Sequence, residues 1–219
     1  AIQDLPVVMC LDRGGLVGED GVTHHGVFDM AAFGAVPGLT IAAPMNEPEL
    51  RNMMYTALGS GHPFMIRYPR GHGEGLPWRG EKFETLPVGR GRRLREGADV
   101  ALLTVGTVGN AAARAAGRAA AEGVSVAHYD LRFVKPLDEA LLDEVGRKFR
   151  RVVTVEDGSL RGGVGEAVAA FFNGRGYDVR VQRLGIGDEW VEHGTPGQLY
   201  ALCGYDEEGI LRALLDTRA

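Results

Sequence analysis

The chain has 219 residues, 45% of them hydrophobic and 24% charged, which is enough apolar material for one large or two small cores. Its 24 basic and 29 acidic residues leave a net charge of -5, which argues against a nucleic-acid partner. No apolar run reaches the ~18 residues that a membrane span needs and no N-terminal signal pattern is present, so no membrane partner and a cytoplasmic location are expected.

In chain order, Pro6–Leu11 reads as a buried strand that turns Cys10 inward, and with Cys203 this suggests two buried thiols rather than a disulfide. A loop with five glycines follows, and then a short apolar helix from Val27 to Val36, stopped by Pro37-Gly38. Leu39–Ala43 is a second strand. Asn46 fits a helix N-cap, and Leu50, Met53, Met54, Ala57 and Leu58 stand at core spacing on the helix behind it. Pro63–Pro69 is a third strand, which carries Arg67 and Arg70 to the same sheet edge as the glycine loop. Periodicity then fails from about residue 71. We assign 1–80 to a first domain, 81–97 to a linker and 98–219 to a second domain. Arg90, Arg92, Arg93 and Arg95 in the linker could form a phosphate or nucleic-acid patch, but a solvated connection or edge strand suits the acidic balance better.

The second region repeats the rhythm: strands at 100–106, 124–130, 151–156 and 179–184, helices at 110–122, 138–149 and 163–172, and two terminal helical pieces at 196–202 and 207–215. Alternating strand and helix predicts an α/β fold with mostly parallel sheets, helices on both faces and right-handed crossovers. Gly162-Gly163-Val164-Gly165 could hold a phosphate at a helix N-terminus, although close helix packing explains it equally well.

The chemistry gathers in the first loop. Arg13, Glu19, Asp20, His24 and His25 place one guanidinium, two carboxylates and two imidazoles within a short glycine-rich stretch at the carboxyl end of a strand, where open α/β sheets hold their ligands. Glycines allow positive φ and a close backbone approach, so the side chains between them can converge on one small molecule.

The stretch DRGGLVGEDGVTHHGVFD at 12–29 resembles the substrate loop in the pyrimidine-binding domain of the 1-deoxy-D-xylulose-5-phosphate synthase family, transketolase-like enzymes. MNEPELRNMMYTAL at 45–58, RYPRG at 67–71, DLRFVKPLDEALL at 130–142 and TVEDGSLRGGVGEAV at 154–168 carry the resemblance to the other end. It implies a partial pyrimidine-binding domain followed by a transketolase C-terminal domain, and a thiamine-diphosphate-dependent, decarboxylative condensation of pyruvate with glyceraldehyde 3-phosphate.

Under that resemblance Asp20 and His24 are catalytic, orienting substrate hydroxyls and the reacting carbonyl, and His24 is suited to proton transfer near neutral pH. Arg13 and Arg70 bind the substrate phosphate, and His25 is a neighbour. Arg67 either helps with phosphate or forms a structural ion pair. Glu156, His128 and His193 fall to structure or interface.

Two features of the family are missing from the sequence. No Gly-Asp-Gly segment occurs to hold Mg²⁺ and the diphosphate, and the glutamate that activates the aminopyrimidine would lie before residue 1. We therefore expect thiamine diphosphate and Mg²⁺ to be bound mainly by an N-terminal part of the same enzyme, the obligatory partner in a homodimer. This chain would be inactive alone, with the strand at 6–11 central in a sheet completed from outside. Two alternatives are a 2-oxo-acid dehydrogenase beta subunit, which would need that glutamate, and a non-catalytic dimerisation module, which would not need four convergent polar groups.

Overall fold

A computed structural model describes residues 1–80 and 82–216. Its elements are β1 (Val8–Leu11), α1 (Asp29–Gly34), β2 (Thr40–Ala42), α2 (Glu47–Gly59), β3 (Phe64–Arg67), β4 (Arg92–Arg95), β5 (Val100–Val105), α3 (Val108–Ala121), β6 (Val126–Asp130), β7 (Phe133–Lys135), α4 (Glu139–Lys148), β8 (Arg151–Ser159), α5 (Val164–Gly174), β9 (Arg180–Ile186), α6 (Pro196–Leu202) and α7 (Glu207–Leu215). They form a four-stranded sheet, β1-β3-β2-β7, and a five-stranded sheet, β4-β6-β5-β8-β9. Pairing is parallel except at β7 and β4, each antiparallel to its neighbour. The α/β class and the parallel sheets follow the sequence pattern.

The inner strands β5 and β8 of the second sheet are buried on both faces, which explains their runs of Val, Ala and Leu. Ala112, Ala115, Ala116 and Ala119 of α3 and Ile210 and Leu214 of α7 cover one face, while Leu142 and Val145 of α4 and Val168 and Phe172 of α5 cover the other. The first core also takes Leu16 and Val27 from the glycine loop, so that loop is rooted in the second region.

Several expectations are corrected. α1 begins at Asp29 rather than Val27, because Val27 is buried in that core and its carbonyl accepts a hydrogen bond from Ser159 N at 2.8 Å. Asn46 does cap α2, accepting from Glu49 N at 3.2 Å, but the helix faces the core with Glu49, Asn52, Met53, Thr56 and Ala57. Met54 and Leu58 are exposed. The rotation has a polar cause: Thr56 Oγ1 accepts from Leu86 N at 2.8 Å and Asn52 Oδ1 from Glu84 N at 3.3 Å, which pins the following segment along that face.

Cys10 on β1 is exposed rather than buried, and among the described residues β1 pairs only with β3, which leaves its other edge open. β7 has no counterpart in the sequence reading. It leaves the second region to close the first sheet, where Phe133 packs edge-on against Phe64 and Lys135 Nζ donates to Gly34 O and Val36 O beyond α1. β4 makes the arginine cluster an edge strand. Arg90 pairs with Asp138, Arg92 with Glu49 and Asp130, and Arg93 with Glu96 and Glu144, so these cations are already matched by carboxylates.

Candidate active site

The loop between β1 and α1 is closed at its neck by backbone bonds. Gly15 N donates to Gly26 O at 2.8 Å and Gly26 N to Gly15 O at 2.9 Å. Tyr68 N donates to Leu11 O and Gly14 N to Tyr68 O, so the exit of β3 runs beside the loop entry. That stitching puts Arg70 next to Arg13. Two glycines are demanded by contact: a Cβ on Gly15, which sits at φ +90°, would collide with the Asp157 carboxylate, and one on Gly26 would strike the Arg13 carbonyl. Arg13 itself holds φ at 60°, a left-handed conformation that costs a non-glycine residue about 1–3 kcal/mol.

Three of the four sequence-chosen residues meet. Asp20 Oδ2 lies 4.0 Å from the Arg13 guanidinium and is ion-paired with Arg70. The three side chains are 31–49% exposed, so the carboxylate bridges two cations that remain open to solvent and leaves the trio with one net positive charge. His24 is also exposed, and its polar contact is between Nδ1 and Thr23 Oγ1 at 2.9 Å rather than with the trio. His25 ties the loop down instead: Val17 N donates to its Nδ1 at 3.1 Å, and its Nε2 lies 3.4 Å from Glu192 O. His193 is exposed against Gly21 at the loop tip, whereas His128 is buried, 2.9 Å from Thr104 Oγ1.

Arg67 takes the structural alternative. It is 4% exposed, its Nε donates to Asp29 Oδ2 at 2.6 Å, and its Nη2 donates to Gly26 O and Asp157 O. Sequence reasoning passed over Asp157 as a site residue. It lies on β8 beneath the loop, 4% exposed, and accepts from Leu16 N at 3.0 Å, Tyr205 Oη at 2.8 Å and Tyr200 Oη at 3.2 Å. Burial pushes the Asp157 carboxyl up, while Arg67 and the three hydrogen bonds oppose the shift. Burial followed by the Asp157 charge pushes both tyrosine hydroxyls up as well, which keeps them protonated donors. The sequence signal was a Glu-Asp pair inside an apolar strand, where an ionisable group needs dedicated partners.

Gly162-Gly163-Val164-Gly165 does not offer an open phosphate cradle. Glu156 fills it, accepting from Val164 N and Gly165 N at 2.8 Å each, and a Cβ on Gly163 would collide with that carboxylate. The fold supplies its own anion at the start of α5. Beside Arg70 a cleft of about 650 Å³ opens between the regions, walled by Asn46, Glu47, Arg114, Tyr200 and Glu207. Among the described residues no group of three His, Cys, Asp or Glu side chains is placed to hold a metal ion. No helix among them is long and apolar enough to cross a membrane.

The transketolase pyrimidine-binding domain family matches residues 1–74, and the transketolase C-terminal domain family matches residues 89–210. The chain is 57% identical over its whole length to a 1-deoxy-D-xylulose-5-phosphate synthase of Bacteroides fragilis, covering 34% of that protein. It is 46% identical to the synthase of Symbiobacterium thermophilum over 96% of this chain and 32% of that one. The chain thus spans about a third of the length of these curated relatives. Among solved structures, a split-gene transketolase described as an inactive beta4 tetramer superposes with a TM-score of 0.86 at 27% identity, over 98% of this chain and 67% of that one. The C-terminal domain match alone covers more than half of the sequence, and the chain belongs to the transketolase family.

Proposed function

We propose that this chain is the C-terminal part of a 1-deoxy-D-xylulose-5-phosphate synthase and supplies the half of the site that holds the phosphorylated aldehyde. The observation that carries this reading is the meeting of Arg13, Asp20 and Arg70 at the carboxyl edge of a parallel sheet. Two guanidiniums bridged by one carboxylate are set for a dianion. The phosphate of glyceraldehyde 3-phosphate takes the arginines, and Asp20, released from them, accepts a hydrogen bond from a substrate hydroxyl. His24, exposed on the same loop, holds or moves a proton at the aldehyde oxygen. Pyruvate is the second substrate.

Thiamine diphosphate supplies the decarboxylating chemistry when bound. In this reading it and Mg²⁺ are held mainly by the N-terminal part of the enzyme, the assembly is a cytoplasmic homodimer, and neither nucleic acid nor membrane takes part. The open edge of β1 and the third-length match to the synthases support a complement that completes the first sheet. The likeness to a split-gene transketolase chain, inactive as a beta4 tetramer, supports the same dependence on a second chain.

Calorimetric titration with thiamine diphosphate and Mg²⁺ tests the division. Binding only after this chain is mixed with the N-terminal segment of a relative, followed by turnover of pyruvate with glyceraldehyde 3-phosphate, is the expected result. Binding of both by this chain alone overturns the assignment of the cofactor to the other half.

A further inference from the structure

The loop that carries Arg13, Asp20 and His24 does not rest on its own sheet alone. Leu16 and Val27 lie in the core of the second region, Ser159 N donates to Val27 O, and Gly194 N donates to Gly18 O at 3.4 Å. His25 reaches Glu192 O, and Phe28 packs edge-on against Trp190 with ring centroids 5.8 Å apart. One contact stands apart from these backbone and apolar ones. Asp157 is a buried carboxylate whose accepted hydrogen bonds come from one loop amide, Leu16 N–H, and from two tyrosines of the terminal helical segment.

We propose that Asp157, held by Tyr200 and Tyr205, is a positioning residue that sets the placement of the substrate loop and through it the geometry of the Arg13–Asp20–Arg70 clamp. The second region then tunes recognition of the phosphorylated substrate through the loop. The argument is geometric. Gly15 at positive φ lets the backbone lie against the Asp157 carboxylate, so the adjacent Leu16 amide is aimed at Oδ1. Tyr205 Oη shares that oxygen and Tyr200 Oη takes Oδ2, which fixes the carboxylate plane. Arg67 clasps the Asp157 carbonyl, Gly26 at the loop neck and Asp29 at the start of α1, so a shift of Asp157 moves both ends of the loop together. Tyr200 and Tyr205 also line the cleft beside Arg70, which brings the device to the edge of the same site.

This inference rests on the phosphate-clamp reading, and its test separates the two. Asp157→Ala leaves two hydroxyls and an amide buried without an acceptor and is expected to unfold the chain, so Tyr205→Phe and Asp157→Asn are the informative variants. Amide hydrogen exchange on the 219-residue chain reads the placement directly: in Tyr205→Phe the Leu16 amide exchanges about fivefold faster or more, the factor that one net hydrogen bond provides. In the assembled enzyme, Tyr205→Phe raises KM for glyceraldehyde 3-phosphate severalfold and leaves KM for pyruvate unchanged. A core control, Phe172→Leu, matched for the loss of thermal stability, moves neither KM.

Unchanged Leu16 exchange in Tyr205→Phe, or a KM for the phosphorylated aldehyde that moves no more than in the core control, overturns the positioning role. Arg70→Ala without effect on that KM overturns the clamp reading instead, and the exchange result then still decides whether Asp157 places the loop.

Discussion

Arg67 and Arg70 leave the same strand three residues apart and end in opposite circumstances. Arg67 is sealed under the loop with Asp29, two backbone carbonyls and almost no exposure, whereas Arg70 stands at the rim, half open to water with Asp20. The same guanidinium thus does two jobs according to its solvent. A buried ion pair gives up hydration and is held by many partners, so it defines structure, while an exposed pair contributes ~0–1 kcal/mol and can be exchanged for an incoming anion at little cost. A second buried knot repeats the first case: Glu49 accepts from Arg132 at 2.7 and 2.9 Å and pairs with Arg92, which also reaches Asp130, joining α2 to the second region.

The contrast is broken most forcefully at Arg67. Arg67→Met leaves Asp29, only 9% exposed, without its cation, and urea denaturation should show a loss of about 3–5 kcal/mol. Adding Asp29→Asn should recover part of it. A double variant as unstable as the single one would mean that the carbonyl contacts of Arg67, not the charge pair, hold the seam.

Next comes a pair of buried groups on β6 with opposite pH dependence. Asp130 is pushed up to about 6 from 3.8, first by burial and against Arg92, so between those values the folded chain keeps a proton that the unfolded chain has lost. Its contribution to stability therefore falls as pH rises from 4 to 6. Burial and the neighbouring Arg92 and Arg95 bring His128 down to about 4 from 6.5, so the unfolded chain takes up the proton first and stability falls as pH drops through that window. The two slopes oppose each other. Asp130→Asn should unmask the His128 slope and lose up to about 3 kcal/mol relative to the parent between pH 6.5 and 4, and His128→Gln should do the reverse. Urea midpoints at three pH values measure both. Parallel curves for variant and parent would show that these groups titrate alike in the folded and unfolded chain.

At the rim the effect moves from stability to recognition. If the proposed phosphate clamp holds, Arg70→Ala removes a charge-assisted partner worth about 1.5–3 kcal/mol to the bound phosphate, and KM for the phosphorylated aldehyde in the assembled enzyme should rise about 10- to 100-fold. Unfolding of this chain should change by less than about 1 kcal/mol. A large stability loss instead would place Arg70 with Arg67.

The sequence was most legible where one period dominates. The parallel strands and the two terminal helices follow from apolar runs and caps, and the charged side chains between glycines mark the loop where Arg13 and Asp20 meet. What escaped it is long-range satisfaction of polar groups. The face of α2 could not be read from apolar spacing, because Asn52 and Thr56 turn inward to bond a segment about thirty residues on. Three residues of β7 complete a sheet that their own region does not contain, a pairing no local pattern encodes. Arg67 and Arg70 look alike in RYPRG, and only Asp29, Gly26 and Asp157, distant in sequence, decide which of them is buried.

The smallest expected effect is the sharpest control on the comparison. Arg93 on β4 is 42% exposed and paired with Glu96 and Glu144, much as Arg70 is paired with Asp20, but it sits on the outer edge of the second sheet, far along the chain from the loop. Exposure and a carboxylate partner alone should therefore not make an arginine functional. Arg93→Ala should change stability by no more than about 0.5 kcal/mol, fading further in high salt as surface pairs do, and should leave both substrate KM values untouched. Measured beside Arg70→Ala, it separates the two ingredients of the clamp: a rise in KM from Arg93→Ala would mean that the general field of surface arginines attracts the phosphate, and its absence assigns the effect to Arg70's place beside Arg13 and Asp20.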